Sequence, residues 1–396
     1  MIDFKDLESP CFVIHEDDFL TSLRGFRSAL AQRFPHYITS YSVKTNSLPW
    51  CLKEARAEGY YAEVVSSDEY ELALRCGFPK NSIIYNGPMK SRESFLDALE
   101  LGAHVNIETF REIEWLHELP KHRNYSVGIR MNVNISAISP EDENHEDDNS
   151  RFGFSVESGD FNRALQLIAK EGNIVVDGLH IHRTSRTRSL QFYKNLIEYA
   201  LSTLSFLKIK PNYIDIGGGY FGIMPGKPTY IDYAQVFADT IGGYFDLRDI
   251  TVIIEPGNAI VASCFSFNHT VIDVKRHNGV FYVTTDGSRI DVDPLFHKTD
   301  YFKSFHYCDD MKREQVSCQI VSGCTCLEFD RMMELHNSPL LKVGDRISFD
   351  RVGAYTMCFT PLFIRYWPAV YVEHEGKFSL VRKRWRASDY MANSIL

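Results

Sequence analysis

Residues 40–46 read SYSVKTN, and the fold question starts from them. They close the longer run YITSYSVK (37–44), whose aromatic and β-branched residues read as a buried strand, yet the run ends on the amine of Lys44. An ammonium buried without a partner costs several kcal/mol. Desolvation drives an amine toward its neutral, nucleophilic form, so Lys44 is a candidate to engage a carbonyl as a Schiff base. The plainer alternative is a strand-end lysine that reaches solvent.

Seven further runs follow: YYAEVVS (60–66), SIIYNG (82–87), AHVNIE (103–108), SVGIRMN (126–132), VDGLHIH (176–182), YIDIGGG (213–219) and TVIIEPG (251–257). The intervals, such as SLPWCLKEARAEG and SSDEYELALRCG, repeat apolar residues with helical period and end in a glycine that fits a C-cap. Eight strands alternating with helices predict a (β/α)8 barrel. A doubly wound open sheet competes, but its first strand would normally feed a glycine-rich turn rather than a lysine. The runs end in Lys44, Glu63, Asn86, Glu108, Arg130 with Asn132, His180 with His182, Gly217-Gly218-Gly219 and Glu255. A parallel barrel gathers its strand ends at one mouth, where active sites of such barrels lie.

Past residue 265 the texture changes. HTVIDVKR, GVFYVTTDG, EQVSCQIVSG, DRISFDRVG and YWPAVYVEHEGKFSLVRKR alternate or carry β-branched residues between Gly, Asp and Asn turns, as antiparallel strands do. CFVIH (11–15) fits the same sheet. The expected organisation is an N-terminal segment, 1–30, joining the β domain, then a barrel over 31–265 and an antiparallel β domain over 266–396. The charged stretch SPEDENHEDDNS (139–150) reads as a solvated excursion, with a lid over the mouth as the alternative. RKRWR (382–386) reads as an exposed basic face.

The bulk numbers agree. A chain of 396 residues with 44% hydrophobic content has ample material for a core and suggests two or three domains. A net charge of −9 argues against nucleic acid and anionic membrane as partners. No apolar run has transmembrane length, and the opening MIDFKDLESPCF lacks a secretory signal. Nine scattered cysteines without zinc-like spacing fit reduced thiols in a cytoplasm and no metal centre.

Three more motifs join Lys44. In IDIGGGYFG (214–222), three glycines after a strand leave backbone N–H groups able to wrap an anion, or simply make a tight turn. In IIEPGN (253–258), Glu255 ends the last strand beside that loop, where a carboxylate can pair with a protonated ring nitrogen or merely enter a helix. In GLHIHRTS (178–185), alternation puts His180 and His182 on one side; spacing supplies no third metal ligand, so one stacking and one packed imidazole fit better. Lysine, phosphate cradle, carboxylate and flat ring together describe a pocket for pyridoxal 5′-phosphate, with Lys44 on the aldehyde, the glycines on the phosphate, Glu255 on the pyridinium and His182 over a ring face.

With these motifs the sequence resembles the fold-type III pyridoxal-phosphate decarboxylases, the group of diaminopimelate and ornithine decarboxylases with an alanine racemase-like fold. YSVKTN resembles the family's Y-[AS]-V-K-x-N, EVVSSDEYELALRCGFP (63–79) its second-strand segment, and SRFGF (150–154) its S-[KR]-F-G. The resemblance makes Lys44 the Schiff-base lysine, His182 the ring-stacking histidine, Ser185 and Gly217–Gly219 phosphate contacts, and Glu255 the partner of the pyridine nitrogen. GCTCLEFD (323–330) resembles G-x-x-C-x-x-x-D and GAYT (353–356) the family's G-A-Y, which implies that Cys326 reaches a neighbouring subunit's site to help protonate product and that Tyr355 contacts cofactor. A head-to-tail homodimer with shared active sites follows from the same resemblance.

Four positions depart from the family. Asn258 stands where E-P-G-R has a phosphate-binding arginine, and Thr184 where H-[IV]-G-S has glycine. Arg183, Arg186 and Arg188 lie nearby as candidate replacements for the lost cation. Leu327 stands where an acid engages the substrate's distal amine, and Asp293, in DVDPLFH (291–297), where an arginine meets diaminopimelate's far carboxylate. Leucine cannot pair with an ammonium, so the expectation is decarboxylation of an amino acid or conjugate other than standard diaminopimelate, with Asp293, Leu327 and Arg186 touching its far end. Glu328, next to Leu327, is a candidate to be re-aimed. The alternatives are diaminopimelate decarboxylase itself, an amino-acid racemase, and a catalytically inactive cofactor-binding regulator.

Overall fold

The computed structural model describes residues 3–142 and 150–395, and the chain divides into two compact units: 1–19 with 261–396, and 20–260. Strand β1 (Cys11–His15) belongs to the first of these. The second unit contains β2 (Tyr37–Ser42), β3 (Tyr61–Ser66), β4 (Ile83–Met89), β5 (His104–Ile107), β6 (Tyr125–Asn132), β7 (Phe154–Ser155), β8 (Ile174–His180), β9 (Tyr213–Asp215) and β10 (Thr251–Ile254). Eight of these pair in parallel in the order β5-β4-β3-β2-β10-β9-β8-β6, and β5 pairs β6 to close the ring; the two-residue β7 hangs on β6. This is the (β/α)8 barrel the alternation predicts.

Closure depends on β10 meeting β2, with Val252 opposite Tyr37 and Ile253 opposite Ile38. Strands such as β10 and β4 are buried on both faces, which explains their near-continuous apolar sequence. The helices between them start where serine or threonine caps an exposed N–H. Ser66 accepts from Glu69, Ser91 from Ser94, Thr109 from Glu112 and Ser189 from Phe192, while Thr229 and Asp232 form a reciprocal capping box. Such a cap is worth about 1 kcal/mol over alanine, and it sets where each strand-end loop stops.

The first unit holds a nine-stranded sheet of β1 with β11 (Phe265–His277), β12 (Val280–Thr285), β13 (Lys303–His306), β14 (Gln315–Ser322), β15 (Arg331–Pro339), β16 (Arg346–Asp350), β17 (Ala369–His374) and β18 (Lys377–Arg382). CFVIH does enter this sheet, antiparallel to β11 and parallel to β17. Most pairings are antiparallel; β1–β17 and β12–β14 are the parallel exceptions. The basic run 382–386 is less exposed than its composition implies: Trp385 packs on Trp367 with centroids 4.3 Å apart, and Arg382 donates to the Pro368 carbonyl. Most of 139–150 lies outside the described residues, so the lid reading does too. Its described start folds back, with Asp142 fully buried. Among the described residues no helix is long and apolar enough to cross a membrane.

Candidate active site

β2 ends at Ser42, and one 3-10 turn, Val43–Thr45, carries Lys44. Its Nζ lies 2.8 Å and 3.0 Å from the two carboxylate oxygens of Glu63 on β3. Glu63 is buried and also accepts from Ser42 Oγ at 2.5 Å and from Asn86 Nδ2 at 3.3 Å. The amine is therefore a paired cation with 34% of its side chain exposed, at a barrel strand end. Sequence reasoning noted Glu63 as a strand end without giving it this partner.

From Glu63 a line of amides crosses the barrel. Asn86 Nδ2 donates to Glu255 Oε1 at 2.5 Å, and Asn86 Oδ1 accepts from Asn106 Nδ2 at 2.8 Å. Asn106 also donates to Asp215 Oδ2 at 3.2 Å and accepts from the Tyr213 hydroxyl at 2.9 Å. Asp215, Glu255 and His180 are all buried, with ligand-type atoms within 4.8 Å of one another. Burial, with the negative charge of Glu63, pushes the Asp215 carboxyl up to about 7, although its hydrogen bonds with Glu255 and the Gly217 N–H act the other way. Burial and the charges of Asp215 and Glu63 raise Glu255 well above the carboxylate range. The sequence had offered no third ligand beside the two histidines; the fold brings Asp215 and Glu255 to His180.

The imidazoles of His180 and His182 are nearly parallel, 9° apart, with centroids 6.4 Å from one another. Burial and the charges of Arg130 and Lys44 lower both well below the ordinary histidine value, so both rings are neutral near pH 7. His182 Nδ1 accepts the N–H of Gly218 at 3.1 Å, which leaves the ring proton on Nε2. Neither ring nitrogen of buried His180 has a hydrogen-bond partner among the described residues. A floor rich in acceptors, with an orphaned imidazole, is costly alone and fits a protonated aromatic nitrogen.

The glycine loop is shaped by what surrounds it. Gly217 and Gly219 have φ of +80° and +93°. A Cβ at Gly217 would collide with His182, and one at Gly218 with the carbonyl oxygen of Glu255. Gly217 O accepts Glu255 N and the Tyr220 hydroxyl, both at 2.7 Å, and Gly218 O accepts the Tyr193 hydroxyl at 3.1 Å. The carbonyls are thus turned toward protein, and Gly217 N and Gly218 N donate to Asp215 Oδ1 at 3.0 Å and His182 Nδ1 at 3.1 Å, which leaves the Gly219 N–H as the loop amide for an anion. These features together fit pyridoxal 5′-phosphate.

Ser185 is committed differently from the sequence expectation. Its hydroxyl donates to Asp142 and accepts Arg188 N at 2.6 Å, while Asp142 also takes the Thr187 N–H and hydroxyl at 2.8 Å each. Arg186 is exposed and donates to the Glu141 carbonyl at 3.0 Å. Asp142 was not a sequence candidate; it stood in a run of like charges, with nothing to single it out.

Residues 20–262 match the family model for the pyridoxal binding domain of pyridoxal-dependent decarboxylases. The chain belongs to the fold-type III pyridoxal-phosphate-dependent decarboxylases. Among curated proteins it is similar to the diaminopimelate decarboxylase of Bacteroides thetaiotaomicron, 27% identical over 363 residues, covering 89% of this chain and 92% of that protein. It is 28% identical to the Bacillus subtilis enzyme of the same name over 386 residues, covering 91% and 85%. Of solved structures, diaminopimelate decarboxylase from M. jannaschii in complex with L-lysine superposes with a TM-score of 0.84 at 22% identity, covering 98% of this chain and 92% of that one. The arginine decarboxylase of Paramecium bursaria Chlorella virus gives 0.74 at 20% identity, covering 93% and 96%. The protein is accordingly an amino-acid decarboxylase whose cofactor is pyridoxal 5′-phosphate. The expectation of a non-standard substrate finds no support here, since the relatives carry the diaminopimelate name.

The remaining predicted residues of this family member lie in its other unit. Cys326 is exposed on the loop after β14. Buried Asp330 anchors that loop, accepting from Thr325 N at 3.1 Å and Thr325 Oγ1 at 2.6 Å, and ties it to the next turn through Ser288 Oγ and Arg289 N. Leu327 is half-buried and Glu328 exposed. Tyr355, with φ +55°, is exposed beside Phe359. Asp293 is buried with its oxygens already engaged: Arg289 Nε and Nη2 donate at 3.0 Å and 2.9 Å, His297 N and Lys298 N at 3.0 Å each.

Proposed function

We propose that this decarboxylase removes an α-carboxylate of diaminopimelate, and that Lys44 carries the cofactor aldehyde at the barrel mouth. The observation that supports the substrate most is the near full-length match to curated diaminopimelate decarboxylases. The two departures that argued otherwise have local answers. Asp293 replaces an arginine and holds Arg289, one helical turn earlier, through Nε and Nη2, so among the described residues only Nη1 of that guanidinium is left to meet a far carboxylate. Leu327 carries no charge, but exposed Glu328 follows it and can meet a distal ammonium.

In this reading the bound cofactor supplies the electron sink for the charge left on the α-carbon when carbon dioxide departs. The chain's residues do the rest. Glu63 and Asn86 hold Lys44 and Glu255 in register. Glu255, with Asp215 behind it, keeps a proton at the ring nitrogen. His182 covers one ring face, and the turn that starts at Gly219, together with Tyr355, makes the remaining cofactor contacts, while Ser185 holds that region in place through Asp142 and Arg188 N. Cys326, from a partner in a head-to-tail homodimer, delivers the proton to the α-carbon. A cytoplasmic setting accords with the scattered cysteines.

Purified protein, loaded with cofactor, is offered diaminopimelate, lysine, ornithine, arginine and an uncharged amino acid, and carbon dioxide is measured. Diaminopimelate should turn over at least about tenfold faster than the others, and Lys44→Ala should abolish turnover while leaving the fold intact. Faster release from an uncharged amino acid would reject the substrate. Undiminished turnover in Lys44→Ala would reject the lysine's role.

A further inference from the structure

We infer that Arg188 and Lys227 supply the positive charge for the cofactor phosphate that Asn258 cannot, through Phe221 as the common platform. The inference rests on the cofactor reading above and concerns how this chain achieves it.

A phosphate monoester carries close to two negative charges near neutral pH, and glycine N–H groups alone leave that charge uncompensated. The last strand leads through Glu255-Pro256-Gly257 to Asn258, which offers no cation. Buried Asp142 adds a negative charge on the Ser185 side. The turn after the glycines leans on the Asn258 turn, because a Cβ at Gly222 would strike the Ala259 carbonyl oxygen.

Two cations meet on this turn. Phe221 comes two residues after Gly219; Arg188 Cζ lies 5.3 Å from its ring centroid and Lys227 Nζ 5.0 Å. The Arg188 backbone is fixed by two links to the same cluster. Its N–H donates to Ser185 Oγ at 2.6 Å, and its carbonyl accepts the Tyr233 hydroxyl at 2.7 Å. The same hydroxyl accepts Phe221 N at 3.3 Å. Its backbone adopts φ +51°, uncommon for a side chain other than glycine. Among the described residues neither Arg188 nor Lys227 forms a salt bridge, although the chain is net acidic. Of the other two arginines near Ser185, Arg186 is engaged with the Glu141 carbonyl. Two cations without carboxylate partners among the described residues, on a shared ring two residues past Gly219, match a dianion better than a surface salt-bridge network.

The test uses the cofactor-free protein titrated with pyridoxal 5′-phosphate, with pyridoxal and with inorganic phosphate, followed by tryptophan fluorescence and the visible absorbance of bound cofactor. Arg188→Gln and Lys227→Gln should each weaken pyridoxal phosphate about tenfold, and together about a hundredfold, with pyridoxal changed less than about twofold. Inorganic phosphate should compete in the wild type and lose that ability in the double variant. Asn258→Arg added to the double variant should restore affinity. Unchanged pyridoxal phosphate affinity in the double variant, or an equal loss for pyridoxal, would overturn the inference. Should Arg188→Gln misfold, exposed Lys227→Gln carries the same comparison alone. A wild type that binds neither compound defeats the cofactor reading itself, a separate result.

Discussion

Asp215 and Glu255 confront each other inside the barrel, and among the described residues neither has a lysine or arginine in ion-pair contact, Lys44 being paired with Glu63. Burial raises both carboxyls, Asp215 to about 7. A carboxyl whose folded value exceeds its unfolded one favours the folded state at low pH and loses that advantage as pH rises through the folded value. The window therefore runs from about pH 4, the ordinary carboxylate value, to about 7. The cofactor-free protein should lose stability steadily across it, read as a falling urea midpoint. Asp215→Asn should flatten the profile. Glu69, raised to about 7 by burial and Glu63, contributes in the same direction, so Asp215→Asn with Glu69→Gln should flatten it further. A profile unchanged by Asp215→Asn would show that the pair is not its source. Bound pyridinium, a cation on these acceptors, should relieve the loss.

At the scale of the element, the glycine loop is a backbone device. Its tolerance is set by main-chain atoms that cannot rotate aside, since a Cβ at Gly218 meets the Glu255 carbonyl oxygen. Gly218→Ala should cost about 1–3 kcal/mol in urea unfolding, as overpacking does, and should weaken cofactor binding because Glu255 and the amide cradle shift together. Loss of stability with unaltered binding would separate the loop from the cofactor site. The same scale shows what was legible beforehand. Strand runs, their polar ends and the Ser/Thr caps are local, so period and composition reveal them, and Lys44, His182 and Glu255 come with them. Asp215 hid inside the apolar run YIDIGGG, since a strand pattern does not distinguish a solvated acid from one facing a barrel interior. Lys44 meets Glu63 only because β2 and β3 pair with Ser42 opposite Glu63. Ser185 meets Asp142 across 43 positions of chain. Such pairings are properties of closure, invisible to any window of sequence.

For the whole molecule, the proposed dimer is the assembly that lets Cys326 act. The β-rich unit presents Phe329, Phe359, Phe363 and Ile364 at 58%, 48%, 40% and 57% exposure, near in sequence to Cys326 or Tyr355. Several large apolar side chains exposed on one unit are a common feature of a surface that another chain covers. If each site takes Lys44 from one chain and Cys326 from the other, two damaged chains can repair one another. Lys44→Ala and Cys326→Ala homodimers should be inactive and strongly impaired, respectively. Co-expressed with two different affinity tags and purified as the heterodimer, they contain one site with both residues intact and one with neither. That heterodimer should recover about half of the wild-type turnover per dimer, the share expected of a two-fold assembly with one working site. Were both residues drawn from the same chain, no intact site would form, and the heterodimer would not exceed the mean of its parents. The measurement thus reads the sharing of the site through rate alone, independently of which amino acid is decarboxylated.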